Sequence, residues 1–194
     1  MEKESRAIFD NTVVEFATVA AEYCVFLERI DSMNRNLFVD KVILLLPLMY
    51  VKASLLSKFK TIGFGNIETY VTEEMYETLR SKIAKLMGEK DDYLEIFLPD
   101  MAFSEEPITR EISEDLTDIY QDIKDFIFVF RQGLNETMND SLARCQENFA
   151  SIWGQKLVNV MRALHNVKYS QDDEEEEDTD ILDNNTDKDE LSEE

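Results

Sequence analysis

One histidine, His165, stands in a chain of 194 residues. Imidazole is the commonest metal ligand and general base, so zinc sites and His-dependent nucleophiles have almost nothing to be built from. Glycine (5) and proline (3) are nearly as scarce. A β-sandwich or barrel turns roughly every ten residues and needs those turn formers. The two cysteines, Cys24 and Cys145, are too few and too far apart for a disulfide framework. Both fall on apolar faces of predicted helices, where core thiols sit. No Gly-rich phosphate loop, GxSxG elbow, CxxC pair or HExxH is present, which leaves zinc and nucleophile chemistry without a motif.

What the chain has instead is charge of one sign: 42 acidic against 20 basic residues, a net charge of −22. Fourteen of those carboxylates, with Lys188 as the one cation, lie between residues 172 and 194. Such a run repels itself and has little apolar surface to bury, so 171–194 is expected to be a disordered acidic tail on a domain spanning 1–170. The remainder carries about −9 and the tail about −13. A field of that sign repels nucleic-acid phosphates and anionic lipid and attracts basic proteins or divalent cations. A basic protein partner is therefore expected, and direct nucleic-acid or membrane binding is not. The opening Met1-Glu2-Lys3-Glu4-Ser5 has no basic region leading into an apolar stretch, which points to the cytoplasm.

The apolar pattern has a helical period. Phe9, Val13, Phe16, Ala20, Tyr23, Leu27 and Ile30 alternate by fours and threes, predicting a helix over 5–30. The next stretch, 36–58, is apolar all round from Val42 to Val51. It lies between Asp40-Lys41 and Lys52, too short for a span of about 20 residues. It reads as a central buried helix, bent at Pro47. Thr72, with Glu73 and Glu74 behind it, starts a third helix that Gly88 ends. Residues 89–109 are irregular, with an extended piece near Tyr93–Leu98. Ser113 is expected to cap a fourth helix to about residue 132. After Gly133-Leu134-Asn135, a fifth runs to about residue 168. Its seam reads Met138, Leu142, Cys145, Phe149, Ile152, then Trp153, Leu157, Val160, Leu164 and Val167. The sum is an all-α fold of about five helices in an up-and-down bundle.

Several constellations carry possible chemistry. The fourth helix has carboxylates at Glu111, Asp115, Asp118, Asp122 and Asp125 on one stripe. A hard cation needs such oxygens, but from several elements at once. The preferred reading is a solvated face with ion pairs, Arg144 lying opposite Asp122 or Asp125. Glu73-Glu74-Met75-Tyr76-Glu77 and Glu89-Lys90-Asp91-Asp92 have the form EExxE then ExxD. That pattern resembles the magnesium signature of all-helical nucleotide pyrophosphohydrolases of the MazG type. The resemblance implies Mg²⁺ held by Glu73, Glu74, Glu77, Glu89 and Asp92, and hydrolysis of phosphorylated small molecules. Gly88 falls just before the second half and leaves little room for the second helix that signature requires. Asp118, Asp122 and Asp125 are the other metal candidates. Without a metal site, no cofactor is expected. Arg162 and His165 sit near a helix C-terminus, which favours cations. Trp153-Gly154 reads as a core anchor with a close helix contact.

The blocks Asp118-Ile119-Tyr120-Gln121-Asp122-Ile123-Lys124-Asp125-Phe126, Trp153-Gly154-Gln155 and Arg162-Ala163-Leu164-His165 resemble a family of uncharacterised helical proteins from Bacteroidetes. Val14-Glu15-Phe16 through Ala21-Glu22-Tyr23-Cys24 adds to the likeness. That family, of similar length, is known as a domain of unknown function. The resemblance implies a cytoplasmic bacterial protein with an all-helical fold and carries over no activity. The leading expectation is a non-enzymatic interaction protein; a Mg²⁺-dependent hydrolase is the alternative.

Overall fold

The computed structural model describes residues 8–63, 67–95 and 108–169. The acidic segment 171–194 and the prolines Pro99 and Pro107 lie outside the described residues. Within them the fold is an all-α up-and-down bundle of five helical rods. These are α1 (Asn11–Glu28), α2 (Arg35–Ser54), α3 (Glu73–Met87), α4 (Ile112–Phe130) and a last rod in two halves, α5 (Asn135–Asn148) and α6 (Gly154–Tyr169). Two short strands, β1 (Asp92–Glu95) and β2 (Ile108–Glu111), pair antiparallel between α3 and α4, with Tyr93 opposite Arg110.

Local chemistry explains most helix ends. Asp10 accepts from Thr12 N, Asn34 from Leu37 N and Thr72 from Met75 N, each satisfying an amide that the first turn leaves unpaired. Gly88, at φ +57°, closes α3 in a left-handed conformation that glycine tolerates. Because Asp10 caps α1, the helix starts at Asn11 rather than near residue 5. Phe9 therefore falls before the periodic stretch and is exposed, and its neighbour Ile8 is buried instead.

α4 is the central helix, packed on α1, α3, α5 and α6. Leu116, Ile119, Ile123, Phe126 and Ile127 are buried along it. This corrects the expectation that α2 occupies the centre. α2 packs chiefly on α1 and α6, burying Phe38, Val42, Leu46 and Met49. Its opposite face, Leu37, Leu44, Leu48, Val51 and Leu55, stays exposed, Leu44 at 70%. All-round apolarity was the signal for burial, but the number of neighbours decides burial. The helix is continuous through Pro47, which lies on the open side.

The last rod bends its register once. Between α5 and α6, Phe149–Trp153 form a π turn, which holds one residue more than an α turn. The buried seam accordingly steps from Cys145 through half-buried Phe149 to Trp153 and Leu157 in fours, and Ile152 faces solvent. The buried Trp153 indole N–H donates to Cys145 O at 3.1 Å, an acceptor it shares with the Phe149 amide.

Candidate functional site

The polar feature with the most partners lies where the β-hairpin, α3, α4 and α6 meet. Asp115, 1% exposed, is held on α4 by the inward phase of that helix. It accepts from the Tyr93 hydroxyl of β1 and sits 3.5 Å from Lys156 Nζ of α6 and 3.7 Å from Arg110 Nη2 of β2. One turn on, Asp118 pairs with the same Lys156 and accepts from the Tyr76 hydroxyl of α3 at 2.7 Å. Glu95, two residues after Tyr93 and so on the same strand face, sits 3.2 Å from Arg110 Nε and accepts from Asn159 Nδ2 at 3.3 Å. Arg162 reaches from α6 to Leu94 O at 2.7 Å. Three carboxylates thus share two cations and two phenols.

Burial is the largest influence on Asp115 and pushes its pKa above the usual carboxylate range, against the opposing pull of Tyr93, Lys156 and Arg110. Tyr93 and Tyr76 are pushed up by burial first, then by the carboxylates they donate to. The phenols therefore stay protonated and serve as donors. Asp115 Oδ1 and Arg110 Nε lie at ion-pair distance from their partners without an aligned hydrogen bond. Buried ion clusters of this kind add modest net stability, but removing one member leaves a charge uncompensated.

The carboxylate stripe on α4 is therefore not the solvated face expected of it. Asp122, half-buried, accepts from Asn148 Nδ2 at 2.6 Å, and its pKa is raised by burial while Arg144 opposes the shift. Asp125 accepts the backbone amides of Tyr70 and Val71 at 2.7 and 2.9 Å. α4 is wrapped on several sides, so each acid meets a donor from a neighbour rather than water.

The EExxE/ExxD carboxylates are scattered. Glu73 and Glu74 are exposed in the first turn of α3, where the helix dipole favours acids. Glu74 borders a groove of about 290 Å³ with Glu28, Met75 and Lys82. Glu77 pairs with Arg80 at 3.0 Å. Glu89 lies in the 3-10 turn Gly88–Lys90 and Asp92 opens β1, both exposed, so no second helix presents them. Among the described residues, no three His, Cys, Asp or Glu side chains are grouped to hold a metal ion.

Sequence reasoning passed over Asp91 and Asp140. Asp91, buried, accepts the backbone N–H and hydroxyl of Ser113 at 2.8 and 2.6 Å. Ser113 is thus the residue being capped, not the capping one, and the Glu111 side chain at the N-cap position turns to Arg80 and caps no amide. Asp140 accepts the amides of Ile62 and Gly63 at 2.8 and 2.9 Å. Nothing in the local sequence set either apart from the exposed acids, since what marks a buried carboxylate is its donors, and these lie far along the chain.

The remaining candidates are structural. Trp153 is fully buried. A Cβ on Gly154 would lie 2.4 Å from Phe149 O, so the close contact is with its own π turn rather than another helix. His165 is exposed, its ring 4.6 Å from that of Tyr169. Since α6 runs on to Tyr169, Arg162 bonds the hairpin instead of the helix end.

The chain belongs to a family of domains of unknown function. The model of the domain of unknown function DUF5063 matches residues 7–170. Among solved structures, the chain is similar to the crystal structure of protein BF1032 from Bacteroides fragilis, a structural-genomics target. The two share 63% identity over 84% of this chain and 96% of that one, with a TM-score of 0.77. No curated protein matches. No helix of the described residues is long and apolar enough to cross a membrane.

Proposed function

We propose that this protein is a non-enzymatic interaction module of the cytoplasm, and that its acidic segment 171–194 engages a basic protein partner. The observation that carries this reading is where the polar and apolar groups go. The acids of α4 that sequence raises as ligands are occupied by the protein's own amides, hydroxyls and cations. The outer face of α2, by contrast, leaves five large apolar side chains in water. Contiguous exposed apolar surface marks interaction sites. The net charge of −22 favours a basic protein over nucleic acid and speeds its encounter. The reading calls for no cofactor.

The test is affinity capture from a bacterial lysate at low and high salt. It compares the full chain with a full-length variant whose Asp and Glu residues in 171–194 are Asn and Gln. Basic proteins captured by the native chain are expected to be lost in the amidated variant and at high salt. Equal capture by both chains overturns the reading. Calorimetric titration of the amidated variant with Mg²⁺ examines the rival hydrolase reading: a saturable, stoichiometric site on the body would support it instead.

A further inference from the structure

We propose that the exposed stripe on α2 is a docking face for the protein's own acidic segment, with Ile181 and Leu182 as its apolar anchors. Leu37, Leu44, Leu48, Val51 and Leu55 are spaced seven, four, three and four along α2, one continuous stripe. Exposed Lys41 lies on that stripe between Leu37 and Leu44. α2 and its neighbour α6 differ in charge from the rest of the body. Together they hold Arg35, Lys41, Lys52, Lys156, Arg162 and Lys168 against one acid, Asp40. Lys52 is met by Glu15 and Lys168 by Asp40, and Lys156 turns inward to Asp118. Even so, each of these two helices holds fewer acids than α1, α3, α4 or α5.

The chain's path brings the segment to that side. Lys168, the penultimate residue of α6, bonds Asp40 of α2 at 2.5 Å, so the last described residues of α6 lie beside the stripe. From Tyr169 to Ile181 the chain can extend about 40 Å at its limit. α2, with 20 residues, is about 30 Å long. Ile181-Leu182 can therefore reach any point on the stripe, with Asp180 and Asp183 beside them to face Lys41. Of the residues from 171 onward, only Ile181, Leu182 and Leu191 are large and apolar, which suits a weak contact made useful by tethering. This goes beyond the partner reading and does not depend on any partner being found.

The experiment uses the full chain, isotopically labelled, and the full-length variant Ile181→Asp/Leu182→Asp, whose changes lie outside the bundle. Amide shifts of Leu44, Leu48 and Val51 are compared, with anilinonaphthalene sulfonate as a probe of exposed apolar surface. The expected result is a shift change confined to α2 and a several-fold rise in dye fluorescence in the variant. Lys41→Glu is expected to give the same change in part. Identical α2 shifts and equal dye binding overturn the proposal. Concentration-dependent α2 shifts that track a dimer mass in sedimentation also overturn it, by assigning the stripe to a second copy.

Discussion

The carboxylate of Asp91 binds both the amide and the hydroxyl of Ser113, 22 residues later in sequence, so the turn that ends α3 caps the start of α4. The same turn supplies Asp91 O to Ile112 N at 2.8 Å. Asp91→Ala would strip a buried amide of its only side-chain acceptor and is expected to lower stability by about 1–3 kcal/mol. Ser113→Ala, which removes only the hydroxyl bond, should cost less. Chemical denaturation of both variants checks the order; an Asp91→Ala midpoint equal to that of the native chain would refute the capping role.

Lys156 is the hinge of the charged cluster. Lys156→Met leaves Asp115 and Asp118 without their shared cation, and breaking a buried pair in this way costs about 3–5 kcal/mol. Arg80→Met, at a largely exposed pair with Glu77 and Glu111, should cost under about 1 kcal/mol. Thermal unfolding of the two variants side by side separates a buried cluster from surface pairing.

The raised pKa of Asp115 has a definite sign in pH dependence. Its protonated form is favoured by folding because burial penalises the charge. Asp115's contribution is therefore fully present below its unfolded pKa, near 3.9, and is lost as pH rises through the folded value. Asp122 behaves in the same direction. Subtracting the stability of Asp115→Asn from that of the native chain, point by point, should give a difference that falls as pH climbs above about 4. A difference that rises over that window contradicts the environment described for Asp115.

Gly→Ala within a helix ordinarily gains about 1 kcal/mol. Gly154→Ala should instead destabilise, because the added Cβ meets Phe149 O at 2.4 Å and the Phe149 ring at 2.9 Å. Crowding of this kind costs about 1–3 kcal/mol. A Tm at or above that of the native chain would mean the π turn relaxes at no cost.

Two leucines two residues apart on α2 make a sharp contrast. Leu46 is fully buried and Leu44 is 70% exposed. Leu46→Ala is expected to cost about 2–5 kcal/mol, and Leu44→Ala to stay within about 0.5 kcal/mol. Equal losses at the two positions would mean that Leu44 is packed as tightly as a core residue, more than a weak tethered contact can supply.

Helix number, order and approximate length were legible in the sequence, because the period of the apolar residues is a local property of the chain. So were the caps Thr72 and Gly88, where residue type and position suffice. The widened turn was half legible: the seam slips by one residue between Ile152 and Trp153, and only the π geometry explains the slip. The identity of the central helix was not legible. α2 is richer in apolar residues than α4, yet α4 has four helical neighbours and α2 chiefly two.

The sequence alone determined an all-helical chain with an acidic extension, since composition, hydrophobic period and charge runs act over a turn or two of backbone. Tertiary structure alone decided which acids are internal. Asp91, Asp115 and Asp140 look no different in sequence from Glu73 or Glu89. Their donors come from residues far away along the chain, and only packing brings a loop amide, a phenol or Lys156 within bonding distance. A carboxylate's role depends on who its neighbours are, and those neighbours are set by how the helices are stacked.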